Sequence, residues 1–409
     1  MELKINYQYT YFIQPFIINE GKYKQYMLKM LKDKKINLKQ FSKEKDLRLY
    51  KYFLPKTREL LFNNFRLTKA KINELEELPM ETRAAILGKQ ECNIFEYMLE
   101  NNIQGKVDSE EQNGIFFNIE KIEIICFKTG ISFLCIKTNL DQNKLFADVL
   151  NFNYKFRDIN NEMSNYDNYD NIRIQINNFS DIETFQEFVK KITGDSNQIE
   201  KIDVDNERFF TYSYTCIDQE SWKDESSFKN IEEQFIKYTN TLPADSNKKY
   251  SYDKIKIFSK WKYAKIGLTK QSCNLFSSSK DINNFTVLAE EFENQYLYTV
   301  ILNLYKKIML KNIIQKLNSN KMVLRGRKDF IDFSKKIWIF EMTENETGTL
   351  LDEQIQEKLE LNKLYNNVKE KFELLYKTYN IQKNKDLYFG VFIISTITLI
   401  VSILGIILN

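Results

Sequence analysis

The feature that most constrains this chain is an uninterrupted apolar run close to its C-terminus. Leu387–Leu408 holds 22 residues without one charged side chain, and only Asn409 follows it. As a helix this run would extend roughly 33 Å, which matches a bilayer hydrocarbon core of about 30 Å. A buried core helix is the alternative, but core helices are rarely apolar on every side over so many turns. The run therefore predicts one C-terminal transmembrane helix.

The flanks of the run predict its orientation. Lys383 and Lys385 precede it and no basic residue follows it, so the positive-inside tendency places the N-terminal region in the cytoplasm. The beginning of the chain lacks the basic flank and the small-residue cleavage site of a signal peptide. We therefore expect a tail-anchored protein of the inner (cytoplasmic) membrane, with the membrane itself as a partner.

Composition narrows the function of the 409-residue chain. Its 60 basic and 56 acidic residues leave a net charge of +4, so no direct nucleic-acid partner is expected. Histidine is absent, which excludes Ser-His-Asp and Cys-His nucleophile systems and His-ligated metals within this chain. The five cysteines form no C-x-x-C pair, and no Walker A or G-x-S-x-G motif occurs. We expect no enzyme, no catalytic residue and no metal site.

The body of the chain predicts an α+β fold with a ferredoxin-like α/β region. Gly114–Leu140 contains two β-rich runs around Lys128-Thr129-Gly130, a typical hairpin turn. A strand at Leu3–Ile17 precedes this hairpin, and a helical pattern over 141–156 follows it, which is a ferredoxin-like order. The sequence leaves the closing strand open between Asn171–Ile176 and Arg208–Ile217.

The sequence changes from β-rich segments to long helical patterns and then to the apolar run, which predicts three regions. We expect a cytoplasmic α/β sensor region over 1–282, a long helical stalk over 283–386 and the transmembrane helix over 387–408. The Asn- and Asp-rich stretch near 160–171 or the loop near 243–249 could divide the first region into two subdomains.

The end of the stalk carries an apolar seam at alternating steps of four and three residues. Such an a/d pattern is typical of a coiled coil, but here it covers fewer than three heptads. Self-association into a homo-oligomer and packing against the chain's own helix at Glu290–Leu317 both remain open. The seam consists of Leu361, Tyr365, Val368, Phe372, Leu375 and Tyr379.

A second stripe, of small and hydroxyl-bearing residues, runs through the apolar segment. Small residues let helices approach closely in lipid, and hydroxyl groups can bond across the contact. The stripe is interpreted as an oligomer contact or a narrow pore, and a plain anchor is the alternative. Its members are Ser395, Thr398, Ser402 and Gly405.

Two clusters could bind a small anionic ligand. The first combines cationic with aromatic residues, and the second consists of cationic residues alone. An adenine nucleotide needs a ring to stack on and cations for its phosphates, and the first cluster offers both. The end of a helix packed on a sheet and a solvated basic loop are the respective alternatives. The clusters are Phe152, Tyr154, Lys155 and Arg157, and then Arg325, Arg327 and Lys328.

The plan of the chain resembles CorA-like membrane proteins, in particular the effectors of type III CRISPR antiviral defence. The resembling parts are the hairpin region Gly114–Thr138, the helical stretch Gln295–Lys307 and the segment Trp338–Tyr376. The resemblance implies a sensor for a nucleotide second messenger, such as an S-adenosylmethionine–AMP conjugate, and an ion-channel or membrane-disrupting output. The G-M-N motif and second membrane helix of magnesium transporters are absent from this sequence.

These observations predict an oligomeric membrane effector that is gated by a small nucleotide-type ligand. A tail-anchored scaffold or adaptor without channel activity is the alternative function. Replacement of the apolar run by an unrelated poly-Leu span would preserve activity only in the second case.

Overall fold

The computed structural model places a mixed β-sheet between two layers of helices. It describes residues 2–62, 74–99, 103–109, 112–140, 145–158, 174–176, 185–194, 199, 201–205, 208–247, 255–319, 321–338 and 341–407. Within the last helix, the side chains of 388–397 are described and those of 378–387 and 398–407 are not.

Eleven strands form the sheet, in the order β2-β3-β5-β6-β1-β8-β11-β10-β9. Strand β4 pairs with β5 beside this path, and β7 pairs with β4. The strands are rich in β-branched and aromatic residues, which pack well on a pleated surface. Their bounds are Ile5–Ile17 (β1), Ile36–Leu38 (β2), Cys92–Tyr97 (β3), Ile103–Ser109 (β4), Gln112–Phe127 (β5), Ile131–Leu140 (β6), Ile174–Ile176 (β7), Phe210–Ile217 (β8), Lys256–Trp261 (β9), Ala264–Leu268 (β10) and Ser272–Ser278 (β11).

The helical segments lie between groups of strands and, from Ile282 onwards, follow the last strand, and they cover both faces of the sheet. Their bounds are Tyr23–Lys32 (α1), Leu47–Tyr52 (α2), Pro55–Leu61 (α3), Met80–Leu87 (α4), Phe146–Arg157 (α5), Phe185–Thr193 (α6), Glu225–Thr239 (α7), Ile282–Phe285 (α8), Val287–Glu291 (α9), Leu297–Asn318 (α10), Val323–Phe333 (α11), Glu346–Lys358 (α12) and Leu361–Ile407 (α13). Two π-helical turns, Phe292–Tyr296 and Ser334–Trp338, lie before α10 and after α11.

Each face of the sheet encloses its own hydrophobic core. Core A lies between the sheet and helices α1, α4, α5, α6 and α7. Core B lies between the sheet and helices α2, α3, α9, α10, α11, α12 and the start of α13. Strand β1 serves both cores because successive side chains point to opposite faces: Tyr11 and Ile13 enter core B, and Phe12 and Phe16 enter core A.

Four antiparallel strands at the centre of the sheet lie in the order β8-β1-β6-β5. Helix α1 follows β1 and helix α5 follows β6, and both helices pack in core A. The expected separate ferredoxin-like domain is not found, because these four strands are the middle of one larger mixed sheet, in which β8 at Phe210–Ile217 lies beside β1. Strand β11 adds to β8 in parallel and extends the sheet by three strands.

The hairpin between β5 and β6 turns at Gly130, which has a φ of 89°. Ile18, just after β1, donates its N–H to the Gly130 carbonyl at 2.8 Å. A Cβ atom at Gly130 would lie 2.2 Å from the Ile18 carbonyl oxygen. Glycine is therefore required here both by the backbone conformation and by the close approach of the two chain segments.

The expected architecture of α/β domains followed by a separate helical stalk is wrong. Helix α10, the first long helix of that expected stalk, is buried on nearly every side from Leu297 to Leu317. A helix with buried residues on so many sides is surrounded by protein and not by solvent, and core B provides that environment. The fold is a mixed α/β sheet with helical layers, and α10 is the centre of one layer. The possible subdomain break near 160–171 lies outside the described residues.

The predicted transmembrane helix over Leu387–Leu408 is also corrected. No helix in the described part of the chain has both the length and the apolarity that crossing a bilayer requires. The apolar run is not an element of its own but the end of α13, which begins at Leu361 in a charged sequence and packs on core B. The predicted inner-membrane localisation and ion-channel character depended on that helix and are not supported, whereas the membrane as a partner stays a prediction from the sequence.

Candidate ligand-binding site

The first group of ligand candidates from the sequence, on α5, belongs largely to the packing of core A. Phe152 is 1% exposed and lies among other phenylalanine rings. Arg157 is buried, and its Nε lies 3.4 Å from Oδ1 of Asp158. Tyr154 and Lys155 are half-buried on the same helix. The aromatic and cationic groups of this helix thus contact the protein itself.

The second group lies on α11, on the opposite face of the sheet. Arg325 and Lys328 are exposed, and Arg327 is half-buried. The Arg327 guanidinium lies 5.3 Å from the ring centroid of Tyr376 and 5.9 Å from that of Phe372, both on α13. The structure therefore does not bring the two predicted groups together, since α5 packs in core A and α11 in core B.

The apolar seam on α13 contacts the same chain over its first half. Leu361 and Val368 are buried, and Trp338 stacks on the ring of Tyr365 with centroids 4.3 Å apart. These contacts attach the helix to α11 and the π-helical turn after it. The other seam residues whose side chains are described, Phe372 and Leu375, are half-buried beside core B, and the side chain of Tyr379 lies outside the described set.

The hydroxyl stripe is described at one position only. Ser395 is exposed, and its Oγ donates a hydrogen bond to the Phe392 carbonyl of the preceding turn at 2.8 Å. Thr398, Ser402 and Gly405 belong to the backbone of α13, but their side chains lie outside the described residues.

A surface cavity of about 420 Å³ lies at the end of β1, between α1 and the C-terminus of α6. Drug-sized and cofactor-sized ligands commonly occupy cavities of about 300–1,000 Å³. Core A fixes the walls, because Met27 and Met30 of α1 and Phe188 and Ile192 of α6 are all buried in it. The lining residues are Ile17, Ile18, Asn19, Lys22, Gln25, Tyr26, Lys29, Ile192, Thr193, Gly194 and Lys201.

Three lysines give this cavity a positive charge. Lys22 immediately precedes α1, Lys29 lies on α1, Lys201 comes from the segment after α6, and none of the described lining residues is acidic. Burial lowers the pKa of Lys29, the neighbouring Lys191 lowers it further, and Asp33 acts in the opposite direction. An anion in the cavity would favour the charged form of Lys29, because an opposite charge nearby stabilises an ammonium group.

Helix α1 donates two hydrogen bonds to the last turn of α6 at the wall of the cavity. The Tyr26 hydroxyl donates to the Ile192 carbonyl at 2.8 Å, and Lys29 Nζ donates to the Lys191 carbonyl at 2.6 Å. The last carbonyls of a helix have no partner within it and carry partial negative charge, so they are natural acceptors for such donors. Burial is the main cause of the raised pKa of Tyr26, whose hydroxyl therefore stays protonated as a donor.

A second charged cluster lies in core B, under the start of α10. Glu123 is 1% exposed, and its Oε1 lies 2.5 Å from Lys39 Nζ and 3.1 Å from Lys121 Nζ. Lys137 Nζ lies 2.8 Å from Glu293 Oε1 and also contacts Glu120. The three lysines are matched by three carboxylates within the cluster, which therefore lacks the charge imbalance that an ionic ligand would require.

The cysteines have the environment of structural residues. All five are free and buried. Burial raises the pKa of Cys216 to about 11 and that of Cys126 to about 12, which keeps both thiols protonated and poorly nucleophilic. In the described part of the chain, no three Cys, Asp or Glu side chains converge as potential metal ligands.

Comparison with known proteins returned no match to a family model, to a curated protein or to a solved structure. The resemblance to CorA-like defence effectors stays a prediction from the sequence alone.

The α1 side of the cavity has a residue spacing that could be read from the sequence, although its residues are not among the ligand candidates predicted from the sequence. Lys22, Tyr26 and Lys29 stand at i, i+4 and i+7, which places Lys22, at the N-cap of α1, on the same side as Tyr26 and Lys29 of the helix. Lys201 and Thr193 have no such relation to α1, because some 170 residues separate them along the chain. Only the folded chain brings the two halves of the cavity together.

Proposed function

We propose that this protein binds a small phosphate-bearing ligand of nucleotide size in the cavity between α1 and α6, and acts as a binding protein or sensor. The observation that carries the proposal is the set of three lysines, Lys22, Lys29 and Lys201, around a cavity of about 420 Å³ whose described lining contains no carboxylate.

Further properties of the cavity agree with such a ligand. Lysine ammonium groups bind phosphate as point charges, and the amide side chains of Asn19 and Gln25 add polar groups for orientation. The ring of Tyr26 supplies an aromatic surface at the wall. A few polar groups around an aromatic wall are typical of sites for small organic ligands.

Isothermal titration calorimetry with adenosine 5′-monophosphate, inorganic pyrophosphate and uncharged adenosine tests the proposal. We expect binding of one or both anions and none of adenosine. Hydrogen bonds between charged groups contribute about 1.5–3 kcal/mol each, so Lys22→Gln and Lys29→Gln should each raise the Kd about tenfold or more.

Lys24→Gln is the matched control, since Lys24 is an exposed lysine on α1 that does not line the cavity. Its Kd should stay within a factor of about two of the wild-type value. Equal losses in Lys24→Gln and Lys29→Gln would contradict a site in this cavity, as would an absence of binding by both anions.

A further inference from the structure

We infer that helix α6 is a ligand-responsive element: occupation of the lysine-lined cavity holds α6 against α1, and the empty cavity allows it to detach. This inference rests on the proposed function, because it assigns a structural response to the same site. It identifies the part of the fold through which ligand binding would be transmitted.

The first argument is the way the cavity is divided between two elements. Gln25 and Lys29 belong to α1 and Lys22 directly precedes it, whereas Thr193 is the last residue of α6 and Gly194 follows it. A ligand that fills the space must contact both walls at once. The complete site therefore exists only while α6 is docked on α1.

The second argument is that α6 is a short helix whose position depends on tertiary packing. It has nine residues, and an isolated helix of that length is marginal in water. It buries Phe188, Val189 and Ile192 in core A, and the Phe188 ring contacts that of Tyr97 with centroids 5.6 Å apart. The hydrogen bonds from Tyr26 and Lys29 then hold its final turn against α1.

The third argument concerns the geometry of that final turn. Gly194 follows the helix with a φ of 74°, and its N–H donates to the Lys190 carbonyl at 2.8 Å. This left-handed glycine ends α6 and leaves the carbonyls of Lys191 and Ile192 facing α1. Lys29 has three donor hydrogens, so it can bond to the Lys191 carbonyl and to an anion together. An anion on Lys29 thus completes the contact between the helices and does not compete with it.

The coupling between ligand binding and helix docking determines how much the ligand changes the population of detached α6. A ligand that binds only the docked state increases the ratio of docked to detached α6 by a factor of 1 + [L]/Kd. At a ligand concentration of 100 times Kd, detachment should become about 100-fold rarer. Hydrogen exchange that proceeds through this local opening slows by the same factor.

Hydrogen–deuterium exchange of the full chain, with and without adenosine 5′-monophosphate or pyrophosphate at 100 times the measured Kd, tests the inference. Exchange of the backbone amides of Phe185–Thr193 should slow by up to about 100-fold. Helix α7 also packs in core A but does not line the cavity, so its exchange should stay within about threefold.

Two tyrosine variants separate docking from general stability. Tyr26→Phe removes the hydroxyl that bonds to α6, whereas Tyr23→Phe removes a buried hydroxyl on the same helix that donates to Cys126 instead. Tyr26→Phe should speed α6 exchange in the absence of ligand and weaken ligand binding, because part of the binding energy must then dock the helix. Tyr23→Phe should change neither α6 exchange relative to α7 nor the Kd.

The outcomes distinguish the inference from the proposed function. Calorimetric binding with unchanged α6 exchange would overturn the inference and leave the binding function intact. Slowing of α6 and α7 by equal factors would also overturn it, because it would indicate global stabilisation. If neither anion binds by calorimetry, the proposed function fails and the inference fails with it.

Discussion

At the scale of single residues, the buried carboxylate of Glu123 shows how this chain tolerates charge in a core. Burial by itself would raise the pKa of Glu123, but the ammonium groups of Lys39 and Lys121 outweigh it and lower the pKa to about 2. Lys39 shows the reverse balance, because burial lowers its pKa and the Glu123 carboxylate raises it above its ordinary value. The three groups hold strand β5 to the segment after β2 and to Tyr298 of α10.

Replacing Glu123 by glutamine tests this balance. The variant keeps the shape of the side chain but removes the buried carboxylate that two half-buried lysines contact, and the loss of one partner of such a buried ion pair typically costs about 3–5 kcal/mol. The loss is measured as the free energy of unfolding in urea at neutral pH. Glu91→Gln is the control, because the ion pair between Glu91 and Lys128 is exposed and contributes about 0–1 kcal/mol.

The same variant predicts a pH dependence with a definite sign. The folded-state pKa of Glu123, about 2, lies below its ordinary value of 4.5, so its ion pairs stabilise the fold above pH 4.5. That stabilisation is lost as the pH falls from 4.5 towards 2. The stability difference between the wild type and Glu123→Gln should therefore shrink over this window. A difference that stays constant down to pH 2 would contradict the lowered pKa.

Residues also show which parts of the site the sequence can predict. Gly130 lies in a hairpin that its own neighbours specify, so Lys128-Thr129-Gly130 predicts the turn locally. Phe152 and Arg157 have the composition of a nucleotide site, but composition does not say whether a ring faces a cavity or a core. Lys201 joins the cavity only through tertiary structure, and no local pattern includes it.

At the scale of elements, the π-helical turn Phe292–Tyr296 is held by a set of tyrosines from the sheet. A π-turn displaces backbone carbonyls from regular helical pairing, so outside donors can satisfy them. The Tyr9 hydroxyl donates to the Ala289 carbonyl at 2.7 Å, and the Tyr212 hydroxyl donates to the Phe292 carbonyl at 2.5 Å. The Tyr212 ring also stacks on Phe292 with centroids 4.1 Å apart. Strands β1 and β8 thus fix the position where α10 begins.

Helix α13 shows why a regular pattern in the sequence does not identify a partner. The seam that begins at Leu361 predicts an apolar face, and that face could contact a second copy or the chain's own helices. Over its first turns it contacts Phe330, Trp338 and α10. Self-association beyond these contacts stays a prediction. The apolar run after it suggests a separate element because it holds 22 residues without a charged side chain, but such a run does not show whether one helix continues through its beginning.

Truncating Phe330 to alanine tests the attachment of α13. The ring is 5% exposed and lies 5.5 Å from the ring of Tyr365 and 5.2 Å from that of Phe372. Removal of the ring should lower the free energy of unfolding by about 3–5 kcal/mol, provided that α13 unfolds together with the rest of the protein. Hydrogen exchange should increase most over the first turns of α13, from Leu361 onwards.

Leu324→Ala is the matched control for this experiment. Leu324 lies on the same helix, α11, but is 71% exposed, so its truncation should change the free energy of unfolding by less than about 0.5 kcal/mol. Equal exchange of α13 in the two variants would show that Phe330 does not attach it.

At the scale of the whole molecule, one sheet links two cores that share no helix. Strand β1 pairs with β6 on one side and with β8 on the other, and its side chains alternate between core A and core B. A strand in this position cannot unfold without opening both cores. The cavity thus lies at the end of the strand that the two cores share, and its other wall is formed by the end of α6.

Because the two cores share β1, a substitution that destabilises one core should also destabilise the other. Phe12 is fully buried in core A, where its ring lies 4.2 Å from that of Phe156, and Phe12→Ala should cost about 3–5 kcal/mol. If the cores unfold together, hydrogen exchange should accelerate in α10 of core B as well as in α5 of core A. Phe116→Ala removes a ring of the same size that is 48% exposed on β5, and it should leave both helices unchanged. Faster exchange confined to α5 would mean that the two layers unfold independently, and the sheet would then not couple the cavity of core A to the helices of core B.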